Sequence, residues 1–392
     1  MASTTRTILF VKIIAFCVWS TLAATNEDVG LNVYEIINKY GYDYELHPVT
    51  TDDGYILELQ RIIPRGETGT NRPPVLLMHG LLSSSADWVN TGTHSLAFKL
   101  VDLGFDVFLG NARGTTSSRK HVTLDPDQDA VEFFNFTWHE IGYYDLPAMI
   151  DYILEITGAE QTQYVGFSQG TTVFFAMASS RPEYNAKIKL MTALAPVAEM
   201  HNFKNPIIKL AAKFEGVIEF ALKAWKMHEL LRYGKIFEVL GEELCDDGKP
   251  TQELCKILLF AIAGYDREQL DGAFIPVITS NAPGGVSVGQ LTHYLQIING
   301  DGVMRRYNDG KSADLPEAYD LSLISAPVAL YYGENDWLSS EKDVEHLADT
   351  MQNCVRRRLN SLKAMNHIDF QWAIDVVELV FNDAIELIVE YK

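Results

Sequence analysis

Apolar residues in this chain fall into short β-branched and aromatic runs, separated by stretches where they recur every third or fourth position. The short runs predict strands at 54–63 (GYILELQRII), 74–80 (PVLLMHG), 105–110 (FDVFLG), 163–167 (QYVGF), 189–196 (KLMTALAP), 327–333 (PVALYYG) and 355–359 (VRRRL). Between them, YYDLPAMIDYILEITG has helical spacing and stops at Gly158. A last helix is expected from near Phe370 almost to the end, with Ile374, Val377, Phe381 and Ile388 on its stripe. Strands alternating with helices predict an α/β fold built on one sheet.

The alternation breaks between about His201 and Tyr319, where the sequence turns mostly helical around the loop NAPGGVSVGQ. This region reads as a cap, 201–319, inserted into a core made of 25–200 and 320–392. Within it, PIIKLAAKFEGVIEFALKAW aligns Ile207, Leu210, Phe214, Val217, Ala221 and Trp225 on one face. A stripe of this kind is expected to pack a cap helix on the core, with contact to a lipid surface as the alternative.

The first 24 residues stand outside this pattern. Arg6 and Lys12 precede the apolar run IIAFCVWSTL, which ends in Ala23 and Ala24, the order of a secretory signal peptide and too short an apolar run to span a bilayer. No later stretch has the length and apolarity of a spanning segment, so an exported chain is expected, bound for extracellular fluid, a gut lumen or the lysosome. Its removal takes away two positive charges and no negative ones, so the net charge of -20 becomes -22 in the remaining 368 residues. An acidic surface argues against nucleic acid and against electrostatic docking on anionic membranes. Of four cysteines, Cys17 leaves with the leader. Cys245 and Cys255 are the natural disulfide pair in an oxidising compartment, a loop closure worth about 2–3 kcal/mol. Cys354 is left single, and no cysteine pair has the company of zinc ligands; neither a metal nor another cofactor is expected. Asn135-Phe136-Thr137 is a glycosylation sequon, and export makes a glycan on Asn135 an expectation.

Candidate chemistry centres on GFSQG, where a predicted strand runs into a helix and Ser168 lies between Gly166 and Gly170. In a nucleophile elbow, a tight turn of this composition lifts a serine hydroxyl clear of the sheet. A hydroxyl needs a base, and the base an orienting acid, in chain order Ser, Asp or Glu, His, on loops beyond strand ends. The strand PVALYYG empties into Glu334-Asn335-Asp336, which offers two acids. Only two of ten histidines follow: His346 within a predicted helix, and His367 in the loop between last strand and last helix. Position singles out His367. The oxyanion donors are expected to be the backbone N–H of Gln169, at the start of the helix, and that of Leu81, after His79-Gly80.

These stretches together resemble the acid lipase family, which comprises gastric and lysosomal lipases and their insect relatives. VTTDDGYILELQRI is similar to the family's first strand and LLMHGLLSSSADW to its oxyanion loop. GNARGTTSSRKH, YYDLPAMIDYI and GFSQGTT follow in family order, then GENDWLSSEKDV and NHIDFQW. The resemblance implies an α/β-hydrolase sheet with a helical cap and mobile lid, a nucleophile at Ser168, and an acid at Asp336 in preference to Glu334. It further implies a base at His367, oxyanion donors at Leu81 and Gln169, and a disulfide in the cap. Phe167 departs from the family, which usually carries histidine there. The expected activity is hydrolysis of carboxylic esters of neutral lipids, triacylglycerols or sterol esters, at an oil–water interface. An esterase for short soluble esters is the alternative within the class, and a non-catalytic lipid-binding or storage protein the alternative outside it.

Overall fold

The structure is a computed structural model that describes residues 26–67, 72–232, 245, 251–310 and 314–392. The expected leader, 1–24, lies outside them. Among the described residues there are ten strands: β1 (Tyr42–Thr50), β2 (Ile56–Pro64), β3 (Pro74–Met78), β4 (Asp106–Gly110), β5 (Thr162–Phe167), β6 (Ile188–Leu194), β7 (Glu229–Arg232), β8 (Gly284–Ser287), β9 (Val328–Tyr332) and β10 (Cys354–Leu359). Eight of them form one sheet in the order β1-β2-β4-β3-β5-β6-β9-β10, and β7 and β8 pair as a separate ribbon. β1, β2 and β4 pair antiparallel, and from β4 to β10 the strands are parallel.

Central strands are buried along their whole length because helices cover both faces. Alternate residues of β3 serve opposite cores: Leu76 and Met78 join the cluster of Phe108, Trp138, Phe174 and Phe175, whereas Val75 and Leu77 join Phe98, Phe105, Phe370 and Phe381. The principal helices are α1 (Val33–Lys39), α2 (Leu96–Asp102), α3 (Leu146–Thr157), α4 (Gln169–Ser180), α5 (Pro206–Ala212), α6 (Glu215–Ala224), α7 (Gln252–Ala263), α8 (Val288–Asn299), α9 (Glu341–Thr350) and α10 (Asn382–Glu390). α3 stops at Gly158 in the left-handed conformation, as its sequence predicts. Helices α5 to α8 and the β7–β8 ribbon lie in the chain between neighbouring strands β6 and β9. Cys245 and Cys255 are disulfide-bonded there, and Cys354 is a half-buried free thiol in β10.

Four expectations need correction. β1 was not anticipated: it is an edge strand, mostly exposed, with Pro48 inside it, so it carries no run of buried residues. The β7–β8 ribbon falls partly in what reads as the loop NAPGGVSVGQ. The last helix is interrupted at Ala373, because Ile374 N–H donates to Gln269 O at 2.8 Å and Ala373 bridges Leu270; Ile374 is exposed rather than part of a buried stripe. The apolar stripe of the insertion does not pack on the core. α5 ends before Lys213, α6 has no buried residue, and Phe214, Val217, Phe220 and Trp225 are 55%, 68%, 75% and 74% exposed.

One buried arginine, paired with two carboxylates, fastens three distant segments. Arg113, after β4, donates Nε and backbone N–H to Asp145 at 2.7 and 2.9 Å, and both Nη atoms to Asp53 at 2.6 and 2.9 Å. Its guanidinium lies 4.0 Å over the Tyr55 ring. Asp145 is fully buried. A buried charge stripped of its partner costs about 3–5 kcal/mol, so this node holds 53, 113 and 145 in one register.

Candidate active site

The sequence around Ser168 is dictated by close approach. A Cβ on Gly170 would lie 2.2 Å from the Met78 carbonyl oxygen, and one on Gly166 would lie 2.7 Å from Gly170 O. Only glycine fits at either position. Ser168 itself has φ 52° and ψ -116°, a conformation that costs about 1–3 kcal/mol for a residue with a side chain. It is held by its N–H to Leu194 O (3.0 Å) and by the Thr171 N–H and hydroxyl, both donating to Ser168 O. The result is a serine at the strand-to-helix junction with its side chain partly exposed.

Two loops reach this hydroxyl from the C-terminal ends of β9 and β10. His367 Nε2 lies 2.7 Å from Ser168 Oγ, and His367 Nδ1 lies 2.8 Å from Asp336 Oδ2. Asp336 is fully buried, and its other oxygen accepts the N–H groups of Leu338 and Ser339 at 2.8 and 2.7 Å. Glu334, the other acid, is exposed. His346 lies in α9, away from this chain of contacts. Phe167 places its ring 5.3 Å from that of His367.

The loop after β3 comes to the same point. A Cβ on Gly80 would be 3.4 Å from Ser168 Cβ, so the chain at Gly80-Leu81 passes directly beside the nucleophile candidate. Gln169 is the first residue of α4, and its N–H has no intrahelical acceptor. His79 organises this loop: its Nδ1 hydrogen-bonds Gly80 O at 2.7 Å and its Nε2 accepts Ala112 N–H at 3.2 Å. Burial pushes its pKa down to about 4, which keeps the ring neutral and able to accept.

Several supporting residues carried no sequence signal. Ala263 O, at the end of α7, accepts N–H groups from both Trp337 and His367, at 3.2 and 3.3 Å. Gly264 follows with φ 113°, where a Cβ would strike Asn335 O at 2.2 Å. Beneath His367, the carboxyl of Asp369 accepts Asn366 N–H at 2.7 Å and faces Asp266 of the insertion. The contact between those two carboxyls is a hydrogen bond only while they share a proton. Burial, with Asp266 and Asp336 adding like charge, raises the pKa of Asp369 to about 8.

Comparison with known proteins identifies the fold and the family. Residues 33–92 match the model of the partial alpha/beta-hydrolase lipase region, and residues 73–220 that of the alpha/beta hydrolase fold. A thermophilic esterase from Thermogutta terrifontis superposes with a TM-score of 0.50 at 18% identity, over 88% of this chain and 99% of its own. A bacterial membrane phospholipase A does so with 0.53 at 14% identity, over 98% and 99%. The fold is therefore that of the α/β hydrolases. Lipase 3 of Drosophila melanogaster is 40% identical over 91% of this chain and 93% of its own length. Gastric triacylglycerol lipase of Bos taurus is 36% identical over 96% of each. Lysosomal acid lipase/cholesteryl ester hydrolase of Macaca fascicularis is 36% identical over 95% and 94%. This chain belongs to the acid lipase family, and it is a carboxylic ester hydrolase.

The raised pKa of Asp369 has a definite sign. The unfolded carboxyl ionises near pH 4 and the folded one only near pH 8, so the stability it contributes is full below about pH 4 and is lost as pH rises to about 8. Asp369→Asn removes this dependence. Thermal unfolding of the two proteins, compared from pH 5 to pH 8, is expected to move in the variant's favour by about 5 °C across the range. Parallel curves would show that Asp369 does not bind its proton more tightly in the folded state.

Proposed function

We propose that the protein is an exported lipase that cleaves neutral lipid esters, triacylglycerols or sterol esters, through Ser168, His367 and Asp336. The observation that carries the reading is the continuous chain from Ser168 Oγ through both His367 nitrogens to a buried, doubly hydrogen-bonded Asp336. Ser168 Oγ attacks the ester carbonyl carbon while His367 Nε2 takes its proton. The N–H groups of Leu81 and Gln169 receive the developing oxyanion. As the C–O bond breaks, His367 returns the proton to the departing alcohol, leaving an acyl group on Ser168. His367 then deprotonates a water, which attacks the acyl carbon, and collapse releases the fatty acid and restores the Ser168 hydroxyl. Asp336 accepts from Nδ1–H throughout and stabilises the imidazolium.

Two further features support lipid as the substrate class. Relatives named as gastric triacylglycerol lipase and lysosomal cholesteryl ester hydrolase share over a third of their residues with this chain across nearly its whole length. The outer face of α5 and α6 is apolar and exposed, an aggregation hazard unless something apolar covers it. In this reading, 201–319 is a cap, and α5–α6 is the lid that meets a lipid surface. Exposed Lys209 in α5 and Lys223 in α6, with Lys213 and Lys226 just beyond the ends of those helices, flank the apolar positions, an arrangement suited to an interface despite the acidic net charge. Asn135 is exposed on a loop, open to a glycan; no helix among the described residues is long and apolar enough to cross a membrane.

Fluorophosphonate labelling should map to Ser168, and Ser168→Ala should cut turnover by a factor on the order of 10⁴ or more without unfolding. Asp336→Asn should be similarly severe, with Glu334→Gln unchanged. An unlabelled protein, or an active Ser168→Ala, would favour a lipid carrier instead; the reverse order of the two acids would move the acid to Glu334.

Phe214→Asp with Val217→Asp, both at exposed positions, should lower activity on emulsified triolein relative to a soluble butyrate ester by roughly tenfold, about 1.4 kcal/mol of lost apolar contact. An unaltered ratio at unchanged thermal stability means that the lipid surface contacts another part of the insertion. Wild type that prefers the butyrate would make it an esterase for short soluble esters.

A further inference from the structure

Where the chain leaves β6 and enters the insertion, a cluster of metal-ligand type lies outside the catalytic residues. Glu199, His201 and His346 each offer one ligand atom, and these atoms all lie within 4.8 Å of one another. His346 Nδ1 hydrogen-bonds Glu199 Oε2, and His201 Nε2 stands 3.6 Å from Glu199 Oε1. The two imidazoles meet edge to face, with ring centres 6.1 Å apart. They flank a single carboxylate that is itself largely shielded from solvent.

The backbone holds this arrangement in place from both sides. Asn202 donates its N–H to Asp343 at 2.9 Å and its Nδ2 to the same carboxylate at 2.7 Å. Asp343 lies one turn before His346 on α9, so the clamp that fixes Asn202 also sets His201 against His346. On the other side, Met200 N–H donates to Gly302 O at 2.7 Å. Gly302 comes so close that a Cβ there would lie 2.5 Å from His201 N. Neither histidine touches Ser168, His367 or Asp336, so the cluster has no part in ester cleavage.

We infer that Glu199, His201 and His346 form a binding site for one divalent transition-metal ion, with Zn²⁺ the best match. Two neutral imidazoles and one carboxylate present three lone pairs with a single negative charge. This donor set suits Zn²⁺ and its borderline neighbours and not Mg²⁺ or Ca²⁺, which need oxygen-rich shells. Ligand atoms around a tetrahedral ion with bonds of about 2.0–2.1 Å are spaced by roughly 3.3 Å. His201 Nε2 stands close to that spacing from Glu199 Oε1, and His346 Nδ1, which bonds the other carboxylate oxygen, Oε2, has to move outward. Water takes the fourth position. Such an ion joins the first turn of the insertion to α9 of the core, so it reinforces the root of the cap.

The test is titration of the chelator-treated, full-length protein with Zn²⁺ alone at pH 7.5, followed by calorimetry and thermal unfolding. One equivalent is expected to bind saturably and to raise the unfolding temperature, with excess Mg²⁺ failing to compete. His201→Ala and His346→Ala, both at solvent-accessible side chains and checked for folding by circular dichroism, should each weaken binding at least about tenfold and abolish the thermal shift. His367 is intact in both, so binding at the catalytic histidine would survive in the variants. The proposal is overturned if wild type shows no saturable Zn²⁺ binding, if Mg²⁺ competes, or if either variant binds as tightly as wild type.

Discussion

The constraint on which the site rests is the contact between the first turn of α4 and the end of β3. Gly170 meets the Met78 carbonyl at a distance that admits no side chain, and Gly166 is closed off by Gly170 itself. This contact forces the chain to reverse within one residue and leaves Ser168 in a conformation that residues with side chains avoid. The strain is supported elsewhere: Leu194 and Thr171 hold the turn, and two fully packed cores fix the sheet below it. Every other part of the site is measured from this point, because the loops after β3, β9 and β10 all converge on it.

The same convergence explains how much of the molecule was legible in the sequence. Strands buried on both faces announce themselves as apolar runs, and a serine between two glycines at a strand end is a local pattern. Ser168 and His367 could be named from order and loop position, whereas the acid loop offered both Glu334 and Asp336 and only the family resemblance preferred Asp336; the structure brings Ser168, His367 and Asp336 into hydrogen-bonding distance. What was not legible depends on contacts between remote segments. β1 is an exposed edge with no periodic signal. The last helix breaks at Ala373 because the next N–H, that of Ile374, goes to Gln269 O, which no local propensity encodes. Asp266, Asp369 and Ala263 acquire their roles only once the insertion has folded back over the loops. The insertion stripe failed differently: amphipathic spacing reveals an apolar face, but not whether protein or something else will cover it.

Buried polar groups divide into two kinds in this fold. Arg113 stays ionised between two carboxylates and joins stretches of chain that the sheet alone does not connect. His79, by contrast, is buried without a counter-charge and is neutral; it fixes a loop by accepting one backbone N–H and bonding one backbone carbonyl. The first kind sets large-scale register, the second the position of a few atoms beside the nucleophile.

The carbonyl of Ala263 has a mechanical consequence. It receives backbone hydrogens from both the acid loop and the histidine loop, and the next residue is wedged against Asn335 with no room for a side chain. At this point the insertion and the two loops behave as one rigid body. A hinge placed here would drag Asp336 and His367 out of line, so the root of the insertion at Ala263 cannot bend without disturbing both loops.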